Sequence, residues 1–313
     1  MFNWNKKEKP FLGYAGFGGA SSGLAGASAG GGQQATGGNQ EAIIPGNGYV
    51  YHTFTSTGPG TFTVTSPGLS SVDILMIGGG GRAVNGGGGA GALIYKTNVP
   101  VSAQAYTVTI GAGGGPVSAP FNGPAGPYPP GEGGPSTAFG YTAAGGGHGG
   151  VHNQNGTSGD PGGSGGGGAP RNGGGTAGPG GTGSGDSGGT NGSVSPNNGW
   201  GNNGGQAHAS NPGGYGGGGG GAGGNGSNNA QGAAGAGLAY PEFAGPLLNV
   251  PSLPGTYAAG GPKTGQEGTP GSGYWPTNQK IDGTGNGGGH NTNSQPDASY
   301  NGSSGIVIIR YAG

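Results

Sequence analysis

The chain has 313 residues, of which 93 are glycine and only 6% are charged, with a net charge of −1 and no cysteine. Charged residues fall far below the roughly 25% of ordinary soluble domains, so like-charge repulsion is not what this composition serves. The balance excludes the basic footprint of a nucleic-acid or anionic-membrane binder, and the missing cysteines exclude disulfides and thiolate metal sites.

Residues 1–45 read as a separate attachment segment, one that ties the chain to a larger body. Phe2, Trp4, Phe11, Leu12, Tyr14 and Phe17 are concentrated where there is no room for a core. Aromatics so placed need a partner to bury them, at about 1.5–3 kcal/mol each. Lys6–Lys9 followed by Phe11–Ala20 imitates a signal peptide, but Pro10 and several glycines break the apolar stretch. No run approaches the roughly 18 apolar residues of a membrane span.

Residues 46–115 carry the clearest strand pattern. Val50, His52 and Phe54, then Phe62 and Val64, alternate in period two around Gly58-Pro59-Gly60, which predicts a hairpin. Val72–Ile77 is largely apolar on both faces, the mark of a central strand. Leu93–Tyr95 and Tyr106–Ile110 continue the pattern. At the far end Ile306–Tyr311 is again apolar on both faces and is expected beside Val72–Ile77, closing the sheet. The predicted fold is mainly β, a small β-sandwich made from 46–115 and 303–313.

Between these lies the glycine-rich region, 116–302. Collagen requires glycine strictly at every third residue, and runs such as Gly165–Gly168 and Gly216–Gly221 keep no such register. Helix is excluded because each glycine costs about 1 kcal/mol relative to alanine. Two outcomes remain, disorder or a projecting bundle of polyglycine-II helices with long loops. Such helices have three residues per turn, no internal hydrogen bonds and free N–H and C=O groups, and without Cβ atoms they can lie side by side and bond laterally.

The ordered succession of blocks resembles a known family. Ser71–Ile77 runs into Gly78–Gly81; Gly86–Gly89 leads through Ala90-Gly91-Ala92 to Leu93. Tyr106–Ile110 runs into Gly111-Ala112-Gly113-Gly114, and Ala143-Ala144 into Gly145-Gly146-Gly147-His148. Gly216–Gly224 and the terminal Ser304–Tyr311 complete the series, which is similar to the glycine-rich domain of bacteriophage tail-fibre and other virion proteins over residues 49–313. The resemblance implies a virion-surface location and, as in related tail-tip adhesins, polyglycine-II helices whose turns meet a host receptor. Stretches 225–257 and 262–302 depart from the pattern in being long and irregular.

Several signals imitate other chemistry. Val72–Ile77 followed by Gly78–Gly81 looks like the opening of a dinucleotide site, but no helix follows to hold a pyrophosphate. Gly261-Pro262-Lys263-Thr264 lacks a preceding strand, and its proline separates glycine from lysine. His148 and His152 would share a face only in a helix. Asp160, Asp186 and Glu242 are isolated carboxylates, so no catalytic residues, metal or cofactor are expected.

Trp200, His208, Tyr215, Tyr240, Phe243, Tyr257, Tyr274 and Trp275 fall between or beside glycine blocks, where turns belong. Aromatics at a rim offer flat apolar area with a polar edge, suited to sugars or protein loops, and these eight are the receptor-contact candidates. The opposing reading is that they pack over the bundle. The expectation is a non-enzymatic virion protein. Residues 1–45 would bind other virion proteins, and the turns would meet a host-surface glycan or outer-membrane protein. A homotrimer is expected from the fibre habit, and no nucleic-acid partner. A capsid or tail decoration fibre without a receptor is the alternative, followed by a secreted glycine-rich structural or ice-binding protein.

Overall fold

The computed structural model describes residues 33–115, 131–150, 162–169, 180–208, 216–228, 232–250, 252–262, 281–289 and 301–313, all within one compact unit, Gly32–Gly313. Its strands in chain order are β1 (Ala35–Thr36), β2 (Gln40–Ile43), β3 (Tyr49–Phe54), β4 (Gly58–Val64), β5 (Ser71–Ile77) and β6 (Leu93–Pro100). They are followed by β7 (Ala105–Ile110), β8 (Ser136–Ala138), β9 (Tyr141–Ala143), β10 (Leu238–Ala239), β11 (Thr256–Tyr257) and β12 (Ile306–Ala312). Two short 3-10 turns, Pro241–Phe243 and Gly245–Leu248, lie between β10 and β11.

Two five-stranded antiparallel sheets face each other. One has the order β1-β4-β7-β8-β9, the other β2-β3-β12-β5-β6, and β10 with β11 forms a third, two-stranded sheet. The fold is mainly β, as the alternation predicts. The terminal strand β12 sits between β3 and β5, with Ile308 opposite Leu75 and Thr53. Side chains alternate along each strand, so Val50, Phe54, Ile74, Met76, Val307 and Ile309 meet Phe62, Val64, Val108 and Ile110 of the other sheet in the sandwich core.

The predicted hairpin is not formed. β3 and β4 belong to opposite sheets, and Gly58-Pro59-Gly60 is the start of β4, paired with Ile110, Thr109 and Val108. Phe54 and Phe62 do bury against one core, but from opposite walls. Period-two alternation gives the face a strand buries, and it is the same for edge-to-edge pairing and face-to-face packing.

The sandwich also starts earlier than expected. β1 pairs with β4 and β2 with β3, so residues 35–43 staple one sheet to the other. His52 fixes this staple. Its Nδ1 lies 2.7 Å from the Gly37 carbonyl oxygen, which can only accept, so the neutral ring holds its proton there and Nε2 faces Tyr311 Oη at 3.3 Å. The ring is fully buried, stacked on Tyr311 and edge-on to Phe62. That burial lowers its pKa below the ordinary value, against smaller opposing effects of the Gly37 carbonyl and Glu41.

The glycine segments continue the strands out of one end of the sandwich. Residues 78–82, 111–115, 144–150 and 258–261 leave β5, β7, β9 and β11, and residues 86–92, 131–134, 232–237 and 301–305 return into β6, β8, β10 and β12. Residues 78–92, predicted as part of the sandwich base, therefore belong to the glycine layer. These segments are neither helix nor strand, and their N–H groups bond sideways. Gly86, Gly89 and Ala92 donate to Gly150, Gly147 and Ala144; Gly87 and Ala90 to Gly217 and Gly220; Gly88 and Gly91 to Gly288 and Gly285. Each neighbouring segment is thus met once every three residues. The same period holds for Gly78 and Gly81, which donate to Ala92 and Gly89, and for Gly79 and Arg82, which donate to Gly134 and Gly131. Backbones lie so close that a Cβ on Gly219 would stand 1.8 Å from the Gly88 carbonyl oxygen.

Candidate functional site

The sheet β2-β3-β12-β5-β6 is apolar on its second face as well, and this face decides where the candidate aromatics go. Tyr51, Leu75, Ile77, Tyr95, Ile306 and Ile308 point away from the sandwich core. The segment from β10 to β11 covers them, because an uncovered face of that size would forfeit about 1.5–3 kcal/mol for each large side chain. Tyr240, Phe243 and Tyr257 are the covering side chains, each with 0% exposure. Their rings meet the sheet edge-on: Phe243 lies 6.2 Å from Tyr51 and 5.7 Å from Tyr95, and Tyr240 lies 5.2 Å from Tyr95. Both hydroxyls are satisfied within the chain, Tyr257 donating to the Phe243 carbonyl at 2.6 Å and Tyr240 to the Ser193 carbonyl at 2.9 Å. Burial first, and then the charge of Glu242, raise both phenol pKa values above the ordinary range.

A side chain with no exposed surface offers nothing to a receptor, so Tyr240, Phe243 and Tyr257 leave the contact set and join the core. Trp200 is half-buried against the same cluster. It lies at the sandwich end of the glycine layer, exchanging main-chain hydrogen bonds with Leu93 in both directions. His208 follows the outward segment 201–207, at the end far from the sandwich, and keeps partial exposure. Tyr215, Tyr274 and Trp275 lie outside the described residues, as do Phe2, Trp4, Phe11, Leu12, Tyr14 and Phe17.

Sequence reasoning passed over a charged pair beside this cluster. Arg310 on β12 stands in register with Asp73 on β5. Its Nε donates to Asp73 Oδ2 at 3.1 Å, and its Nη2 to Tyr95 Oη at 3.2 Å. The guanidinium also lies over the Tyr49 and Phe243 rings, 4.5 and 4.7 Å from their centroids. The signal was available: Asp73 and Arg310 are lone, opposite charges in two otherwise apolar strands predicted to be neighbours. Both line a polar cleft of about 610 Å³ at the end of the sandwich away from the glycine layer. Among the described residues, no group of three or more His, Asp or Glu side chains is placed to hold a metal ion.

What the arrangement supplies chemically is main-chain hydrogen bonding. The glycine layer uses its N–H and C=O groups within itself and leaves small or amide side chains on its flanks: Asn203, Gln206, Asn225, Asn228, Ala233 and Ala236 are exposed.

The glycine-rich domain family matches residues 53–312. No curated protein matches the chain. The match covers most of the chain, which therefore belongs to the glycine-rich domain family.

Proposed function

We propose that this member of the glycine-rich domain family is a non-enzymatic phage virion structural protein, a tail fibre or tail-tip adhesin that presents its outer turns to a host surface. The observation that carries the reading is the period-three lateral hydrogen bonding of glycine segments, many of which spring from strand ends at one end of a sandwich. Three residues per turn, no internal hydrogen bonds and sideways donation are the properties of polyglycine-II helices, and they support that conformation for the glycine layer. A scaffold of this kind is stiff and carries few charges, so sequence changes in the turns leave it intact. Separating recognition loops from a rigid frame is the general arrangement of binding proteins. Residues 1–32 would attach the chain to the particle, and the fibre habit favours a homotrimer.

The burial of Tyr240, Phe243 and Tyr257 favours a second reading, a capsid or tail decoration fibre without a receptor, because it removes three of the eight contact candidates. Competition separates the two. Purified chain added at saturating dose to host cells should block adsorption of the virus that carries it; unchanged adsorption would leave decoration as the function. Deleting residues 2–20 should abolish incorporation into particles, and normal incorporation would remove the docking role.

A further inference from the structure

The segment 201–206 meets its neighbours in three directions, and one of them is unlike the others. Gly201 and Gly204 donate to the Asp186 and Gly181 carbonyls, and Asn202 and Gly205 donate inward to Ser164 Oγ and the Gly218 carbonyl. In the third direction, Asn203 N donates to Asn225 Oδ1 at 3.0 Å and Gln206 N donates to Asn228 Oδ1 at 2.7 Å. The two donors are three residues apart, and so are the two asparagines. Gly183 N in turn donates to Asn203 Oδ1 at 2.9 Å. All three asparagines are exposed on the flank of the glycine layer.

Elsewhere in this layer most such N–H groups are taken by main-chain carbonyls of another glycine segment, and side-chain acceptors such as Ser164 Oγ and Asn286 Oδ1 are buried inside the layer rather than exposed on its flank. We propose that Asn203, Asn225 and Asn228 are edge terminators. Each side-chain oxygen replaces the carbonyl that a further segment would bring, and so closes this flank against the glycine layer of a second copy of the chain. A row of unpaired main-chain N–H groups at the edge of a hydrogen-bonded layer is a template for pairing with another chain, and natural β-sheets block such edges. The glycine layer needs the same protection, and asparagine suits it because its short side chain carries a carbonyl like that of the backbone. Each oxygen is already engaged by an N–H donor of its own chain, so it is not left open to a second edge.

The test is the full chain with Asn225→Ala and Asn228→Ala together, beside a chain with Asn225→Asp and Asn228→Asp, which keeps an acceptor oxygen at both places. Amide hydrogen exchange at Asn203 and Gln206 should quicken at least about fivefold in the alanine chain, the ratio matching a net hydrogen bond of about 1 kcal/mol, and stay near the unsubstituted rate in the aspartate chain. Light scattering over a concentration series should show the alanine chain associating beyond the mass of the unsubstituted chain. Unchanged exchange at the two amides would overturn the proposal, and so would faster exchange without added association. Should the alanine pair fail to fold, Asn225→Ala alone is read at the Asn203 amide by the same criterion. None of these readouts depends on host adsorption, so this inference and the adhesin reading can fail separately.

Discussion

Gly88→Ala tests whether the glycine layer is packed as tightly as its backbone indicates. A Cβ at Gly88 would stand 2.1 Å from the Gly81 carbonyl oxygen, where ordinary contact begins at 3.4 Å. Segments 78–82 and 86–92 would have to separate by about 1.3 Å in a layer whose other sides are already occupied. The bonds between them, Gly81 N to Gly89 O at 2.8 Å and Gly78 N to Ala92 O at 3.1 Å, would then pass out of hydrogen-bonding range. At about 1–3 kcal/mol for each buried bond lost without replacement, the substitution costs about 2–6 kcal/mol, a large share of the about 5–15 kcal/mol that stabilises a typical fold. Gly68→Ala is the control. Its Cβ would meet only Ser66 Oγ, at 3.5 Å, and its backbone is not left-handed. There the loss of unfolded-state freedom should give a gain of about 0.4–1 kcal/mol. Denaturant unfolding of the two variants beside the unsubstituted chain reads the difference through the midpoint. If Gly88→Ala lies within about 0.5 kcal/mol of the unsubstituted chain, a difference ordinary for a surface change, the close lateral packing is wrong.

Three further outcomes follow from the ionisable groups. Because the folded pKa of His52 is lowered below 6.5, the unfolded chain takes up a proton near that pH before the folded chain does. Its contribution is therefore complete above pH 6.5 and declines as pH falls below it; unfolding midpoints at pH 7.5 and 5 should differ, and less so in His52→Gln. Tyr240 and Tyr257 have raised pKa values, so their stabilisation is present below about pH 10 and is lost as pH rises past that unfolded value; ultraviolet titration should show these two phenols ionising only as the fold opens. Arg310→Ala removes the charged partner of Asp73, which keeps the Asn98 N–H, and should cost about 1.5–3 kcal/mol, with the Asp73→Ala, Arg310→Ala pair costing less than the two single changes together; additive losses would show that the pair is not coupled.

Much of this architecture is legible in the chain. The two-faced apolar character of Val72–Ile77 and Ile306–Tyr311 marks both as central strands, and they pair in the structure. The same feature carried a consequence for the candidate site. A sheet apolar on both faces needs two covers, and the only other concentration of large apolar residues in the described chain runs from Leu238 to Tyr257. Those aromatics stand beside glycine blocks because the chain comes back there to cover the sheet. What composition could not supply was partnership. Glycine runs look alike in sequence, so nothing in Gly86–Gly89 foretells that successive residues donate to three different segments. The asparagines were legible as residues but not as edges, since Asn225-Gly226 is equally ordinary turn chemistry.

The register of the glycine layer has to come from outside it, and the sheets are where it comes from. A segment with almost no side chains could slide along its neighbours by three residues and recover nearly the same bonds. In a β-sheet, register is held wherever one face is buried and slips where neither face carries a pattern. Here β5 fixes the start of 78–82, β6 the end of 86–92, and β7, β8, β9 and β12 fix 111–115, 131–134, 144–150 and 301–305. A slip by three would pull a core residue such as Ile77 or Leu93 out of a fully buried place, at about 1.5–3 kcal/mol for each side chain exposed. Inside the layer the few side chains act as further pins. Asn202, buried, donates through Nδ2 to the Gly221 and Ala222 carbonyls, and Asn286 Oδ1 accepts from Ala259 N. Segments 201–206 and 285–288 do not continue a strand, and the first is tied to β6 through the Trp200–Leu93 main-chain bonds at its base. Segments that continue no strand receive less control of register from the sheets, and in these two a polar side chain locks onto the backbone beside it.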